Sequence, residues 1–208
     1  KPTPHRPVDL ARAPSGQIVV LGMHRSGTSS VAGLLARFGV HVGPNDDLLV
    51  GPDNPKGHYE SGRLHGACLR RLAAAGGDWK QPSTHVPTDA VDAFRREVGA
   101  LVDEFDAHRP WLIKEPRLCL VARELLPLLT RPVFVHVVRD AQAVAASLAA
   151  RDAMDGDAAL ALWERYTRDA FAASVGWPRV LVDYDALCAE PLRVSRALFA
   201  ELQTLGIA

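Results

Sequence analysis

Residues 17–38 read QIVVLGMHRSGTSSVAGLLARF. The apolar run 18–21 meets Gly22, a short polar loop covers 23–27, and an amphipathic helix is predicted from Thr28. A strand, a glycine-rich turn and a helix N-terminus in that order aim several backbone N–H groups and the positive end of a helix dipole at one point. Phosphate-like anions bind at such points. Gly22 and Gly27 have the spacing of a P-loop, but Thr28 follows where a nucleotide triphosphatase carries lysine. The cation lies inside the loop instead, as Arg25. That displacement is the main clue to function.

Working outward, Val31, Leu34, Leu35 and Phe38 fall at helical spacing and form the predicted buried face of a helix over 28–38. A loop rich in Gly, Pro, Asn and Asp spans 43–57, and loops this long inside a domain are often functional. A helix is expected over 60–75, ended by Gly76-Gly77. Another covers 89–108, with Val91, Phe94, Val98, Leu101, Val102 and Phe105 as its apolar face. A short strand, 111–113, runs into Lys114-Glu115-Pro116-Arg117, and a helix starts at 118 and runs to about Pro127. The strongest strand is 133–138. Asp140 is placed to cap the helix that follows, to about Arg151. A helix over 155–174, a strand over 179–182 and a last helix over 191–205 complete the pattern. Strands separated by helices predict an α/β fold of three layers, P-loop-like, with a central parallel sheet flanked by helices. The proline-rich residues 1–16 read as a flexible leader and 17–208 as a single domain. Nothing in the chain repeats.

Composition narrows the function classes. The 208 residues suit one α/β domain, and 48% hydrophobic with 23% charged residues is an ordinary globular balance. Lys+Arg and Asp+Glu are 24 each, so the net charge is zero, which argues against a nucleic-acid partner. Any anion site must come from local geometry. Cys68, Cys119 and Cys188 are scattered and form no CxxC pair, so no metal site or disulfide framework is expected, in keeping with a cytoplasmic location. No run of about 18 apolar residues is present, so no membrane span is expected. Abundant Ala, Arg, Gly and Asp fits a bacterial, GC-rich source.

Four predicted strands end in polar motifs: HRSGTS, KEPR, VRD and VDYD. In a parallel sheet, ligands bind beyond the C-terminal strand ends, so these motifs should converge on one cleft. Arg25, Ser26, Gly27, Thr28 and Ser29 offer a guanidinium, hydroxyls and N–H groups to an anion with several acceptor oxygens. Arg139 ends its strand, and Ser147 and Arg151, four apart, share a helix face that could hold a second phosphate. The plainer alternative is that Arg139 and Arg151 are solvated surface residues. Trp163 lies on an apolar helix face and reads as core. Trp79 follows Gly76-Gly77-Asp78 and either packs or stacks on a sugar ring.

GMHRSGTSS, IKEPR, VVRDAQAVAASLAAR and VDYDALCAEP occur in this order, and together they resemble the sulfotransferases that use 3′-phosphoadenosine 5′-phosphosulfate (PAPS). The pattern is similar to bacterial carbohydrate-type enzymes and to tyrosylprotein sulfotransferases, over nearly the whole chain. The resemblance implies that the loop holds the 5′-phosphosulfate and that Arg139 and Ser147 hold the 3′-phosphate. Arg25, Lys114, Arg151 and Tyr184 match further family positions. It implies an acceptor hydroxyl attacking sulfur in line, the chain's own cations stabilising the departing phosphate, and no required metal.

 

Arg25 and Lys114 would take up the charge that develops on that phosphate, with help from loop N–H groups. Family likeness makes Glu60 the first candidate for the base that takes the acceptor's proton, and His58, which titrates near neutrality, the second. The bland reading of Glu60 is a first-turn helix glutamate favoured by the dipole. Glu115 and Arg117 either pair with Lys114, meet the acceptor or form a structural salt bridge. The co-substrate implied is PAPS, with 3′,5′-adenosine bisphosphate (PAP) as product, and the partner is a small-molecule or glycan hydroxyl on a carbohydrate or glycoconjugate. Family members place adenine contacts toward the C-terminus; this chain ends at Ala208, and the sequence assigns no residue to adenine. Two readings stand beside this one: a P-loop kinase or triphosphatase, and a nucleotide-binding module without catalysis.

Overall fold

A computed structural model describes residues 16–51, 54 and 57–207; the expected leader lies, except for Gly16, outside them. Four apolar runs form a sheet: β1 (Gln17–Leu21), β2 (Trp111–Lys114), β3 (Pro132–Val138) and β4 (Arg179–Asp183). The helices are α1 (Thr28–Arg37), α2 (Gly62–Ala74), α3 (Thr88–Phe105), α4 (Leu118–Leu125), α5 (Ala141–Asp152), α6 (Gly156–Ala173), α7 (Tyr184–Ala189) and α8 (Pro191–Thr204). A single 3₁₀ turn extends α3 over Asp106–His108, and another follows α4 over Leu126–Leu128, where Pro127 cannot continue an α-helix.

All strand pairs are parallel, in the order β2-β1-β3-β4. The register sets Val20 beside Lys114, Leu21 beside His136 and Val138 beside Asp183, so the polar motifs leave the sheet at one edge. Successive side chains of a strand point to opposite faces. Val19 and Leu21 enter a core built with α2, α3, α4, α5 and α6, while Ile18 and Val20 enter a second core built with α1, α7 and α8. These are the three layers that the alternation of strands and helices predicts. Among the described residues no helix is long and apolar enough to cross a membrane.

The structure departs from the sequence reading in four places. Phe38 is 59% exposed and packs at a tilt against Phe199 of α8 instead of facing the sheet. It lies just past the last turn of α1, where the chain leaves the helical spacing that would have buried it. Val91 is only half-buried, and Ala90 takes the inner position at the start of α3. The helix expected from residue 60 begins at Gly62, because the Ser61 hydroxyl accepts from the Leu64 N–H and ends the extended segment there. The VDYD motif carries its own short helix, α7, with the Asp183 side chain accepting from the Ala186 N–H.

On β3, His136 is buried, stacked on Phe171 and within 2.9 Å of the Ser174 hydroxyl. Burial, reinforced by the charge of Arg179, pushes its pKa from 6.5 down to about 4. The unfolded chain therefore binds a proton that the folded chain refuses. The stability from this neutral imidazole is complete above pH 6.5 and is lost as pH falls through 4, amounting to about 3 kcal/mol. Urea unfolding at points across that window should show a flatter pH dependence for His136→Gln than for the parent protein.

Candidate active site

Gly27 is the N-cap residue of α1, at φ 87, and no side chain caps this helix. Ser61, Asp140, Asp155 and Asp183 cap α2, α5, α6 and α7, while α3, α4 and α8 share with α1 the lack of a side-chain cap. The first N–H groups of α1 have no acceptor within the helix and, with its dipole, are available to an anion. A cavity of about 230 Å³ opens at this point, beyond the C-terminal ends of all four strands. Arg25, Gly27, Thr28, Ser29, His58, Glu60, Lys114, Arg139, Arg151 and Tyr184 line it. Four cations, Arg25, Lys114, Arg139 and Arg151, stand there against the one carboxylate of Glu60.

Two sequence candidates are not on the wall. Ser26 is buried in the loop turn, its N–H donating to the Met23 carbonyl at 3.1 Å. Ser147 stands behind Arg25 and accepts from its Nε at 2.9 Å. Arg25 itself has φ 68, a left-handed conformation that costs a non-glycine residue about 1–2 kcal/mol. Its carbonyl accepts from Arg139 Nη1 at 3.0 Å. The two motifs expected to bind anions are thereby joined, loop to strand end and loop to α5. Arg151 donates through Nε to Asp152 at 2.7 Å.

The base candidate and its lysine are one unit. Lys114 Nζ donates to Ser29 Oγ at 3.0 Å, to the His58 carbonyl at 2.9 Å and to Glu60 Oε1. Both side chains are buried, Lys114 at 2% and Glu60 at 9% exposure. Glu60 is thus not a first-turn helix glutamate: it precedes the cap, in a segment whose Glu60 carbonyl accepts from the Leu49 N–H at 2.8 Å. Next to it, the Tyr59 ring packs on Gly33 of α1, where an added Cβ would come within 2.7 Å of the ring. That contact holds the loop against the helix. His58 offers its carbonyl to Lys114 while its side chain lines the cavity.

Glu115 pairs with Arg117, through Nη1 and the Arg117 N–H, and not with Lys114. Glu60, His65 and Glu115 bring ligand-type atoms within 4.8 Å of one another, yet Lys114 and Arg117 already neutralise the two carboxylates. Of the two tryptophans weighed from sequence, Trp163 packs against the core and Trp79 is half-buried beside this site. Sequence reasoning missed His24. It lies in the same loop and lines the cavity, and its signal was only its position in HRSGTS. Burial, then the charges of Arg117, Arg151 and Lys114, hold its pKa well below the ordinary value, so the imidazole is neutral. Buried side-chain polar atoms without a hydrogen-bond partner, among the described residues, are His24 Nε2, Arg117 Nε and Arg139 Nε. All three belong to residues around this site, where a ligand can satisfy them.

Tyr184 closes one side. Its ring lies on Gly27, so that a Cβ there would be 2.0 Å from Tyr184 Cδ2, and the Arg139 guanidinium sits 5.3 Å from the ring centre. Gly27→Ala should lower stability by at least about 1–2 kcal/mol from backbone strain alone. In a double-mutant cycle read by urea unfolding, the added cost of Gly27→Ala should be smaller when Tyr184 is already Ala.

The sequence matches the model of a family described as the sulfotransferase family over residues 17–204. Among curated protein sequences none matches the chain. Solved structures similar to it include the sulfotransferase domain of the olefin synthase of Synechococcus PCC 7002, with a TM-score of 0.54 and 20% identity over 93% of this chain and 74% of that one. The sulfotransferase domain from the curacin biosynthetic pathway aligns with a TM-score of 0.56 and 15% identity, over 92% of this chain and 75% of the other. Sulfotransferase STF1 of Mycobacterium tuberculosis H37Rv gives 0.52 and 15%, over 94% and 68%. At these identities the likeness is one of fold.

Proposed function

The chain belongs to the sulfotransferase family, enzymes that transfer sulfuryl groups, and on that premise we propose that it moves a sulfuryl group from PAPS to a hydroxyl of a carbohydrate or glycoconjugate. The observation that carries this reading is the cavity in which four cations surround an uncapped helix N-terminus, with a buried carboxylate tied to one of them. PAPS supplies the activated sulfuryl group. The N–H groups of Thr28 and Ser29 and the guanidinium of Arg25 bind the 5′-phosphosulfate, and Arg139 takes the 3′-phosphate, while Ser147, behind Arg25 and off the wall, holds that guanidinium in place. Arg151 and Tyr184 complete the wall.

Lys114 and Arg25 stabilise the negative charge that grows on the departing phosphate oxygen. The sulfuryl group bears less charge than a phosphoryl group, so cations of the chain suffice in place of magnesium. Glu60 takes the acceptor's proton. Its carboxylate is held by Lys114, whose ammonium lies between Glu60 and the first turn of α1. His58, whose side chain also lines the cavity, is the second candidate for this step. A groove of about 620 Å³ adjoins the cavity through Ser29, Ser30 and Asn54, and its Leu34, Tyr59 and Leu187 offer an apolar bed for adenosine. The scattered thiols Cys68, Cys119 and Cys188 are all free, which fits a cytoplasmic enzyme.

Differential scanning fluorimetry tests the donor assignment: PAP should raise the melting temperature more than ATP with magnesium does. The reverse order would point to a P-loop kinase or triphosphatase. Glu60→Gln, which keeps a hydrogen-bond acceptor for Lys114, should retain PAP binding and slow PAP release from PAPS by about 10²-fold or more. Turnover near the parent rate would move the base to His58.

A further inference from the structure

A second cavity, of about 400 Å³, lies against the first and shares His24, His58, Glu60 and Arg151 with it. Trp79 and Arg117 belong to the second cavity alone. Its electrostatics differ from those of the first. The charges here are matched one to one: Glu60 with Lys114, Glu115 with Arg117, Asp152 with Arg151. What remains is hydrogen-bonding capacity. Arg117 Nε is a buried donor without an acceptor, and His24 Nε2 is a buried ring nitrogen without a partner. The two residues are 9% and 8% exposed. The half-buried indole of Trp79 stands beside both, 4.6 Å from the His24 ring centre and 6.0 Å from the Arg117 guanidinium carbon.

We propose that this second cavity is the acceptor subsite and takes a neutral, polyhydroxylated ring, with hydroxyls bonded to Arg117 Nε and His24 Nε2. The inference rests on reading the first cavity as the donor site. An acidic acceptor would share Arg117 with Glu115 or Arg151 with Asp152, leaving one negative charge in excess, which is costly beside the buried Glu115. A flat apolar phenol would cover both orphan atoms without bonding them, and a buried polar atom left unbonded costs about 1–3 kcal/mol. A sugar hydroxyl both donates and accepts. It can take the Arg117 N–H and give its own proton to the neutral imidazole. Glu60 forms part of the wall between the cavities, so a ring held there brings a hydroxyl to the carboxylate. As the acceptor oxygen bonds to sulfur, the sulfur–oxygen bond to the phosphate breaks and the hydroxyl proton passes to Glu60.

The test uses the whole chain, with and without PAP, and a panel of neutral methyl pyranosides beside the corresponding methyl uronates. Saturation-transfer NMR reads binding, and PAP release from PAPS reads transfer. Neutral pyranosides should bind, and their uronates should bind more weakly. His24→Phe and Arg117→Lys should each raise the sugar Kd about three- to tenfold, the worth of one hydrogen bond, and Arg117→Lys, outside the first cavity, should leave PAP affinity unchanged. Of the two nitrogens that His24→Phe removes, Nε2 has no partner in the fold, and a melting temperature near the parent's separates a lost sugar contact from a lost fold. Residues that only pack would leave the sugar Kd unmoved, and that result overturns the proposal. So does preference for uronates, or absence of binding by every neutral ring; neither comparison needs a variant to fold. Sugar binding that depends on His24 and Arg117, with no PAP release from any acceptor, would sustain the subsite and remove the transfer reading. PAP release with phenols alone would do the opposite.

Discussion

The ammonium of Lys114 holds together three segments that are far apart in the chain. It stands at the end of β2, donates to a hydroxyl in the first turn of α1, to the backbone of the loop at His58 and to the carboxylate of Glu60. An ammonium has three N–H donors, and this one uses each of them on a different group. A buried charge is tolerated only with such partners, because desolvation costs several kcal/mol per ion. Removing either member of the pair would leave the other charged, buried and uncompensated. The position of the loop, and with it the approach to the helix N-terminus, follows from satisfying Lys114.

The same constraint explains the loop that lacks a P-loop lysine. In a P-loop the cation comes from the first turn of the helix that cradles the phosphates. Here Thr28 occupies that position, Arg25 lies earlier in the loop and Lys114 arrives from the neighbouring strand to bond Ser29 of the same helix turn. The charge is supplied from two sides instead of one. Arg25 adopts a backbone conformation that favours glycine, and it is held there by Ser147 at its Nε and by Arg139 at its carbonyl. Tyr184 then packs over Gly27, which has no side chain to obstruct it. Lys114, Arg139 and Tyr184 join the ends of three strands to the loop and Ser147 joins α5 to it, so the cavity is a product of the sheet order and not of any one motif.

Around this cavity the polar bookkeeping is incomplete in a localised way. The buried ion pairs are matched, while His24, Arg117 and Arg139 each keep one buried nitrogen without a hydrogen-bond partner. Elsewhere among the described residues, buried side-chain polar atoms find partners inside the protein, as His136 does in Ser174 and Arg71 in Glu124. Unmet hydrogen-bonding capacity at a cavity wall is what a binding surface requires, since a ligand that bonds it gains more than water-exposed contacts provide.

By itself the sequence determined what depends on near neighbours. The period of apolar residues specified strands and helices to within a few positions, Asp140 and Gly27 marked helix starts, and the alternation of elements specified a parallel sheet with its ligand edge. The candidate anion site at the start of α1 was legible for the same reason, because a glycine-rich turn between strand and helix is a local structure. The tertiary structure decided everything that depends on which distant groups share one desolvated space. Glu60 reads locally as a helix residue, yet it lies before the cap and is bound to Lys114, 54 residues away. Phe38 continues an apolar spacing and still ends at the surface against Phe199. Glu115 chose Arg117 over its immediate neighbour Lys114, because successive residues at a strand end point to opposite sides. The role open to His24 arises from burial among cations contributed by β2, α4's approach and α5, and no spacing in the chain encodes that burial.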